Sequence, residues 1–326
     1  LTSAASGFIK IFIILRRYGM KKLVLFILVA VLVAFPAFGQ RKTELLMGTA
    51  SMGGAFYPVG QGIANLVTKY SKSYSMVPVV TGGAVENPRL LDSGDVDIAI
   101  TNANIAYFAW AGTSPYTKKI DITCLASLYP SVLHMAVPVN SSINDFGDLK
   151  GKRVAVGPAG GGTLDILKVL LDEYGMTMKD ITPSYLAYGD GFSQMADGNV
   201  DAAFALSGYP AAAVMQTIAT KEIKFIEVQP DKLASIMKKY PYYTDITIGK
   251  DVYKTRKDPV VIGVQNVLIV KRNFSEEAVY QITKALFDNL PEFAAANANA
   301  KQIDVKKASQ VPIPLHPGAE RFYAGK

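Results

Sequence analysis

The sequence predicts an α/β protein built as two similar lobes with a ligand cleft between them. Three observations predict it. From residue 44 onward, strand-like and helix-like runs alternate, which implies a largely parallel sheet with loops gathered at the strand ends. Two passages match without gaps 104 residues apart, Ser93-Gly-Asp-Val-Asp-Ile-Ala-Ile100 and Asp197-Gly-Asn-Val-Asp-Ala-Ala-Phe204. A glycine loop also recurs between a strand and a helix, with Gly48, Gly53 and Gly54 answered by Gly157, Gly162 and Thr163. Matched elements in the same order indicate duplicated architecture rather than convergence. Clefts between such lobes are preferred ligand sites.

The chain has 326 residues, 50% of them hydrophobic and 19% charged, enough for a sizeable core and for two domains. Its net charge of +7 is concentrated at one end. Lys10, Arg16, Arg17, Lys21 and Lys22 lie in residues 1–39, which carry no acid, so the remainder carries only +2. That balance gives no basic patch for nucleic acid. Met20-Lys21-Lys22 precedes an apolar run over 23–35, and Ala37-Phe38-Gly39 then offers small residues before Gln40. This is the three-part form of a secretory signal, expected over 20–39 with Met20 as the start. The apolar run is short for a bilayer span. The expected product is an exported, periplasmic protein. Its one cysteine, Cys124, sits in the apolar run 122–129 and reads as a buried, inert thiol.

The elements follow in order. Residues 44–47 read as a buried strand, then the glycine loop, then a helix over 56–70 with Pro58 in its first turn, where the missing N–H costs nothing. Residues 75–80 form a strand, and 81–84 a second glycine turn. A short helix through Leu91 is stopped by Gly94. Residues 97–101 form a strand, and a helix over 102–110 follows at once. The apolar runs 122–129 and 131–139, broken at Pro130-Ser131, carry the chain from one lobe to the next. Strand 153–156 leads into the second glycine loop and a helix over 164–174. Strand 184–187, helix 192–196, strand 201–206, helix 209–220, strand 224–228 and helix 231–240 complete that lobe. Residues 241–259 read as irregular, and 260–270 as the returning strand. Ser275 caps a helix with Glu276 and Glu277 in its first turn and Val279, Ile282, Leu286 and Phe287 as its apolar stripe. The lobes are therefore expected to comprise residues 40–130 with 245–326, and residues 131–244.

The chemistry-bearing motifs are mostly absent. The loop at Gly48 has phosphate-loop spacing, but Gly54 and Ala55 stand where Lys and Ser or Thr are needed, and the loop at Gly157 fails in the same way. Gly60 and Gly62 lie inside a helix and make no dinucleotide fingerprint. The two histidines, His134 in an apolar strand and His316 in a Pro-rich tail, read as structural. Asp97 and Asp201, repeated at strand starts, read as residues bonded to backbone. No nucleophile–base motif and no metal motif is present, so the chain reads as a binding protein, not an enzyme, and no cofactor is expected.

The binding case rests on the loops at the strand ends. Each glycine loop aims backbone N–H groups and the positive end of a helix dipole at one point, which suits an anion. The first lobe offers Ser51, Gly53, Gly54, Phe56 and Tyr57, then Thr81 and Gly83, then Asn102, Asn104 and Tyr107. The second offers Gly160, Gly161, Gly162, Thr163, Tyr188, Ser207 and Tyr209. Hydroxyls, amides, aromatics and backbone N–H groups with few charges suit a small polar solute bearing a carboxylate. Ser51 to Tyr57 and Gly160 to Thr163 are expected to face each other across it.

At these residues the chain resembles the TAXI family of solute receptors of TRAP transporters. The resemblance runs through Gly48-Thr-Ala-Ser-Met-Gly-Gly-Ala-Phe-Tyr-Pro-Val-Gly60, Thr81-Gly-Gly-Ala-Val-Glu-Asn87 with Arg89-Leu-Leu, and Ala126-Ser-Leu-Tyr-Pro-Ser-Val-Leu-His134. It continues in Leu149-Lys-Gly-Lys-Arg153, Val156-Gly-Pro-Ala-Gly-Gly-Gly-Thr163, Ser207-Gly-Tyr-Pro210 and Pro314-Leu-His-Pro-Gly318. It implies a type II periplasmic-binding-protein fold and delivery of solute to a fused TRAP permease driven by an ion gradient; the chain itself is expected to be a monomer. It also implies an amino acid such as glutamate, or a dicarboxylate such as 2-oxoglutarate, as solute. The family often carries Thr-Tyr where this chain has Ala55-Phe56, and a Gln and an acid where it has Asn102 and Asn104. The readings that compete with it are a sensory receptor for a membrane kinase and an exported enzyme using the same cleft. An ABC-linked receptor is disfavoured by the motif set.

Overall fold

The computed structural model describes residues 41–326. The expected start at Met20 and the signal segment 20–39 lie outside them. Residues 44–326 form one unit. Among the described residues no helix is long and apolar enough to cross a membrane.

Strand β1 (Thr43–Gly48) leads through the glycine loop into helix α1 (Phe56–Tyr70). β2 (Tyr74–Val79), α2 (Asn87–Ser93), β3 (Ile98–Asn102) and α3 (Ala103–Ala111) follow. The long strand β4 (Ile122–Pro138) carries the chain to β5 (Arg153–Ala155), α4 (Thr163–Glu173), β6 (Thr182–Ser184) and α5 (Tyr188–Ala196). Next come β7 (Ala202–Ser207), α6 (Ala212–Ile218), β8 (Ile223–Phe225), α7 (Pro230–Lys239), β9 (Tyr243–Thr247) and α8 (Lys250–Tyr253). The chain returns along β10 (Val260–Lys271) and ends in α9 (Glu276–Asp288), α10 (Leu290–Ala296) and α11 (Pro317–Ala324).

The strands form one sheet in the order β2-β1-β3-β10-β4-β7-β5-β6, with β8 on β4 and β9 on β10. β1 and β3 pair in parallel, as do β5 with β6 and β5 with β7. β4 and β10 pair with each other in antiparallel register and also reach outward, β10 to β3 and β4 to β7. The sheet is thus mixed, two parallel portions joined by an antiparallel pair.

Several expectations change. The sheet is mixed rather than largely parallel. In place of a strand over 184–187 and a helix over 192–196, β6 ends at Ser184 and α5 already begins at Tyr188. The run 122–139 is not broken at Pro130-Ser131; β4 is a single 17-residue strand. Pro130 faces Gln265 where the β4–β10 register shifts, so its missing N–H falls at an irregularity in the ladder. Residues 241–259 are not irregular throughout, because β9 pairs antiparallel with residues 260–264 of β10 and α8 follows.

The repeat has a physical meaning. Gly94 and Gly198 both adopt positive φ, 89° and 80°, ahead of β3 and β7. Asp97 Oδ2 accepts from the Leu46 N–H at 2.8 Å while the Asp97 N–H donates to Leu46 O at 2.9 Å. Asp201 does the same with Arg153, both contacts being 2.8 Å. Each aspartate closes the start of a parallel strand pair. The loop glycines are less alike, since Gly53 has φ 98° whereas its counterpart Gly162 is right-handed at φ −71°.

Helix α1 buries Phe56, Val59, Ile63, Leu66 and Val67 against the sheet. A Cβ on Gly60 would lie 2.4 Å from Thr49 Cγ2, and one on Gly62 would lie 2.0 Å from the Phe293 ring. That pair of glycines therefore serves close packing. α9 is capped by Ser275 Oγ, which accepts from the Ala278 N–H, and its four expected stripe residues are all buried. Cys124 is fully buried beside the tail, its N–H donating to Pro314 O and its carbonyl accepting from the His316 N–H. Burial pushes its thiol pKa well up. His134 is also fully buried. Its Nδ1–H donates to Ala205 O at 3.1 Å and its Nε2 lies 2.8 Å from Tyr253 OH, an arrangement that a neutral ring satisfies. Loss of hydration lowers its pKa to about 4.

Candidate functional site

The loops after β1, β2 and β5 meet the ends of β3 and β7 at one small cavity. It offers about 20 Å³ to water centres, room for about one molecule. From the first part of the chain come Ser51, Gly54, Phe56, Gly83 and Asn102; from the second come Gly161, Gly162 and Tyr188. Ala50, Ala55, Gly82, Ala84, Pro158 and Leu206 complete the wall, and none of these described residues is charged.

Two helices begin at this cavity. α1 starts at Phe56 and α4 at Thr163, and neither has a side-chain cap from its own N-cap residue, Ala55 or Gly162. The first-turn N–H groups of such helices have no intrahelical acceptor and carry the positive end of the dipole. The Ala55 N–H is served from across the site, by Ser207 Oγ at 2.9 Å. Ser51 Oγ is buried and finds no partner among the described residues.

The loops touch directly. Gly160 O accepts from the Val85 N–H at 2.9 Å and the Glu86 N–H at 3.3 Å. Gly53 O accepts from the Ala213 N–H at 3.0 Å. A Cβ on Gly160 would lie 3.3 Å from the Gly82 backbone, and one on Gly162 would fall 2.2 Å from Asn102 Oδ1. Glycine at these positions lets the two walls approach.

Asn102 ends β3 and is the N-cap residue of α3, yet its side chain makes no capping bond. It is 2% exposed. Its Nδ2 donates to Asn266 Oδ1 at 2.8 Å, and Asn266 is its direct cross-strand partner on β10. Asn266 Oδ1 also accepts from Ser131 Oγ at 3.0 Å, while Asn266 Nδ2 donates to Tyr129 O at 2.8 Å. Asn266, Ser131 and Tyr129 are fully buried. The bulge between Gln265 and Val267 aims Asn266 at that carbonyl.

Other expected residues serve the frame. The Thr163 and Tyr188 hydroxyls bond each other at 2.8 Å, Tyr188 OH donates to Leu206 O at 3.1 Å, and Thr163 Oγ1 accepts from the Leu206 N–H at 3.1 Å. Tyr188 thus presents its ring to the cavity and spends its hydroxyl behind it. Thr81 Oγ1 bonds Asn87 and Thr49 O, holding the turn before Gly83. Asn104 does not line the cavity. Its Nδ2 donates to Asp165 Oδ2 at 2.7 Å, where Tyr243 OH also donates at 3.0 Å. Burial raises the Asp165 pKa against those bonds. Tyr107 is 43% exposed beside Trp110, and Tyr57 and Tyr209 are half-buried outside the cavity wall. Gln302 Nε2 donates to Tyr209 O.

Sequence reasoning missed Asn266. The signal was available, because Gln265-Asn266 is the one polar interruption of the apolar run 260–270. A larger depression of about 760 Å³ lies elsewhere, lined by Lys221, Lys224, Lys254, Arg256 and Lys257 with Glu222 and Glu227. It includes none of the glycine-loop residues, and Lys257 is paired with Glu227.

Comparison with known proteins fits this architecture. A protein of Escherichia coli (strain K12) named as an aliphatic sulfonates-binding protein is 28% identical over 141 residues, 43% of this chain. The match spans 39% of that relative's own length. A chain solved in work on glutathione import and the cystine ABC importer of Streptococcus mutans superposes with a TM-score of 0.53 at 14% identity, covering 82% of this chain and 99% of that one. A protein of Listeria monocytogenes named as an L-cystine ABC transporter gives 0.52 at 14% identity, covering 80% and 98%. The fold is that of type II periplasmic binding proteins. The NMT1-like family matches residues 47–326, nearly all that the structure describes, and the chain belongs to that family.

Proposed function

We propose that this chain is an extracytoplasmic solute receptor. It holds a small carboxylate between two lobes, residues 40–130 with 245–326 and residues 131–244, and passes it to a TRAP-type membrane permease, as its likeness to the TAXI receptors implies. One observation carries the reading: two helix N-termini without caps of their own converge on a cavity whose described lining holds no charged side chain. Helix ends and backbone N–H groups suffice for a carboxylate. Ser51, Gly54, Phe56, Gly83, Asn102, Gly161 and Gly162 are the proposed contacts. With room for about one water, the cavity admits a solute only when the Gly160 contacts part, so binding is coupled to a hinge movement.

A second reading is a sulfonate receptor feeding an ABC importer. It is favoured by the name of the Escherichia coli relative, and a sulfonate suits the same helix ends. Mass spectrometry of solute released from gently purified protein separates the two, supported by a thermal-shift screen of carboxylates and sulfonates. A carboxylate that raises Tm by several degrees is the expected result. Stabilisation by sulfonates alone would transfer the assignment to the second reading, and no stabilisation by either would defeat both.

A further inference from the structure

Asn102 is a buried polar group in the cavity wall, and its hydrogen bonding has a direction. An amide can present either its oxygen or its NH₂ to a site, and the surrounding bonds decide which. Here the decision starts at Tyr129 O, an acceptor that admits only a donor. It therefore takes Asn266 Nδ2 at 2.8 Å. Asn266 Oδ1 must then face the other way, where Ser131 Oγ and Asn102 Nδ2 both donate to it. With its NH₂ engaged there, Asn102 turns Oδ1 toward Gly162, on the cavity wall. No hydrogen bond from a described residue ends on that oxygen, although the residue is 98% buried and stands where an N-cap would ordinarily use it. That oxygen is open to the cavity rather than sealed in the protein, so a donor presented from the cavity can complete its bonding.

Resting on the reading of this cavity as an anion-accepting solute site, we propose that Asn102 Oδ1 is a specificity-determining acceptor that selects a small organic acid bearing a hydroxyl group beside its acid group. The two helix ends take the anionic head, and Asn102 takes the hydroxyl proton. An uncharged donor fits better than an ammonium group, because no carboxylate among the described residues lines the cavity to balance a second charge. A plain alkyl acid leaves Oδ1 unserved.

Calorimetric titration of the purified protein with matched pairs tests this: lactate against propionate, malate against succinate, and 2-hydroxyglutarate against glutarate. In at least one pair the hydroxylated member should bind about tenfold more tightly or better. In Asn102→Leu that preference should fall to within about twofold. Equal binding of the deoxy partner in every pair overturns the proposal without help from any variant. A preference that survives in a folded Asn102→Leu protein overturns it too, as does tighter binding of alanine than of lactate. Isethionate against ethanesulfonate separates the two levels. A hydroxyl preference there, with no carboxylate bound, retains the role of Asn102 and defeats the carboxylate assignment. No binding in any pair defeats both.

Discussion

His134 illustrates what one buried side chain does to the pH response. Its ring is held neutral by full burial, with Ala205 O beside Nδ1 and Tyr253 OH beside Nε2. Its pKa falls from an ordinary 6.5 to about 4. The unfolded chain therefore binds a proton between those values that the folded one refuses. The resulting stability is present above pH 6.5 and is lost as pH falls through 4, a difference of about 3 kcal/mol. Urea unfolding at pH 7 and pH 4 should show it as the excess loss in the native protein over His134→Gln. An identical loss in both proteins would contradict the neutral, buried ring. At this scale the sequence spoke clearly where a residue's type disagreed with its surroundings. His134 in an apolar strand and Asp97 and Asp201 at strand starts could be read as structural. Gly60 and Gly62 could be rejected as a nucleotide motif, but their purpose needed Thr49 and Phe293, partners distant in sequence.

At the scale of elements, the uncapped start of α4 is the most informative. Gly162 is right-handed at φ −71°, so alanine fits its backbone without strain. What alanine cannot do is leave room for Asn102, whose Oδ1 would lie 2.2 Å from the new Cβ. Gly162→Ala should therefore keep its circular dichroism spectrum and lose solute affinity by about tenfold or more, because the two walls no longer meet. Retained affinity would show that this approach is not part of binding. Strands and helices were legible from their periods, and the strand–loop–helix order placed the glycine loops correctly between them. Several elements were not, among them the unbroken β4, β9, α8 and α10. Pro130 read as a break because sequence carries no sign of the register shift opposite it. β9 was missed because its pairing with β10 supplies what its own alternation leaves ambiguous.

For the molecule as a whole, the sheet explains why so few charges are needed at the cavity. β4 and β10 run through the middle of it, and the parallel portions on either side deliver their loops to one place. Of the residues singled out from sequence, Ser51, Gly54, Phe56, Gly83, Asn102, Gly161, Gly162 and Tyr188 come together there. Gly53, Tyr57, Thr81, Asn104, Tyr107, Gly160, Thr163, Ser207 and Tyr209 do not join the wall. Tyrosines and amides are equally useful in packing, and only the third dimension separates those uses. Asn266 lay outside the sequence-derived set because its influence passes through Asn102 rather than through the cavity.

Cys124, the single cysteine of the chain, is sealed between β10 and the tail. A thiol reacts as its thiolate, and this one is buried and held protonated. Its alkylation is therefore a clock for opening. In native protein a thiol reagent should modify it at least about 10³-fold more slowly than in urea-unfolded chain. Saturating solute should slow the reaction further, by the factor that binding adds to stability. Prompt labelling in native buffer would contradict the seal. If the seal holds, one naturally placed sulfur atom records both how often the fold yields and how firmly a solute restrains it.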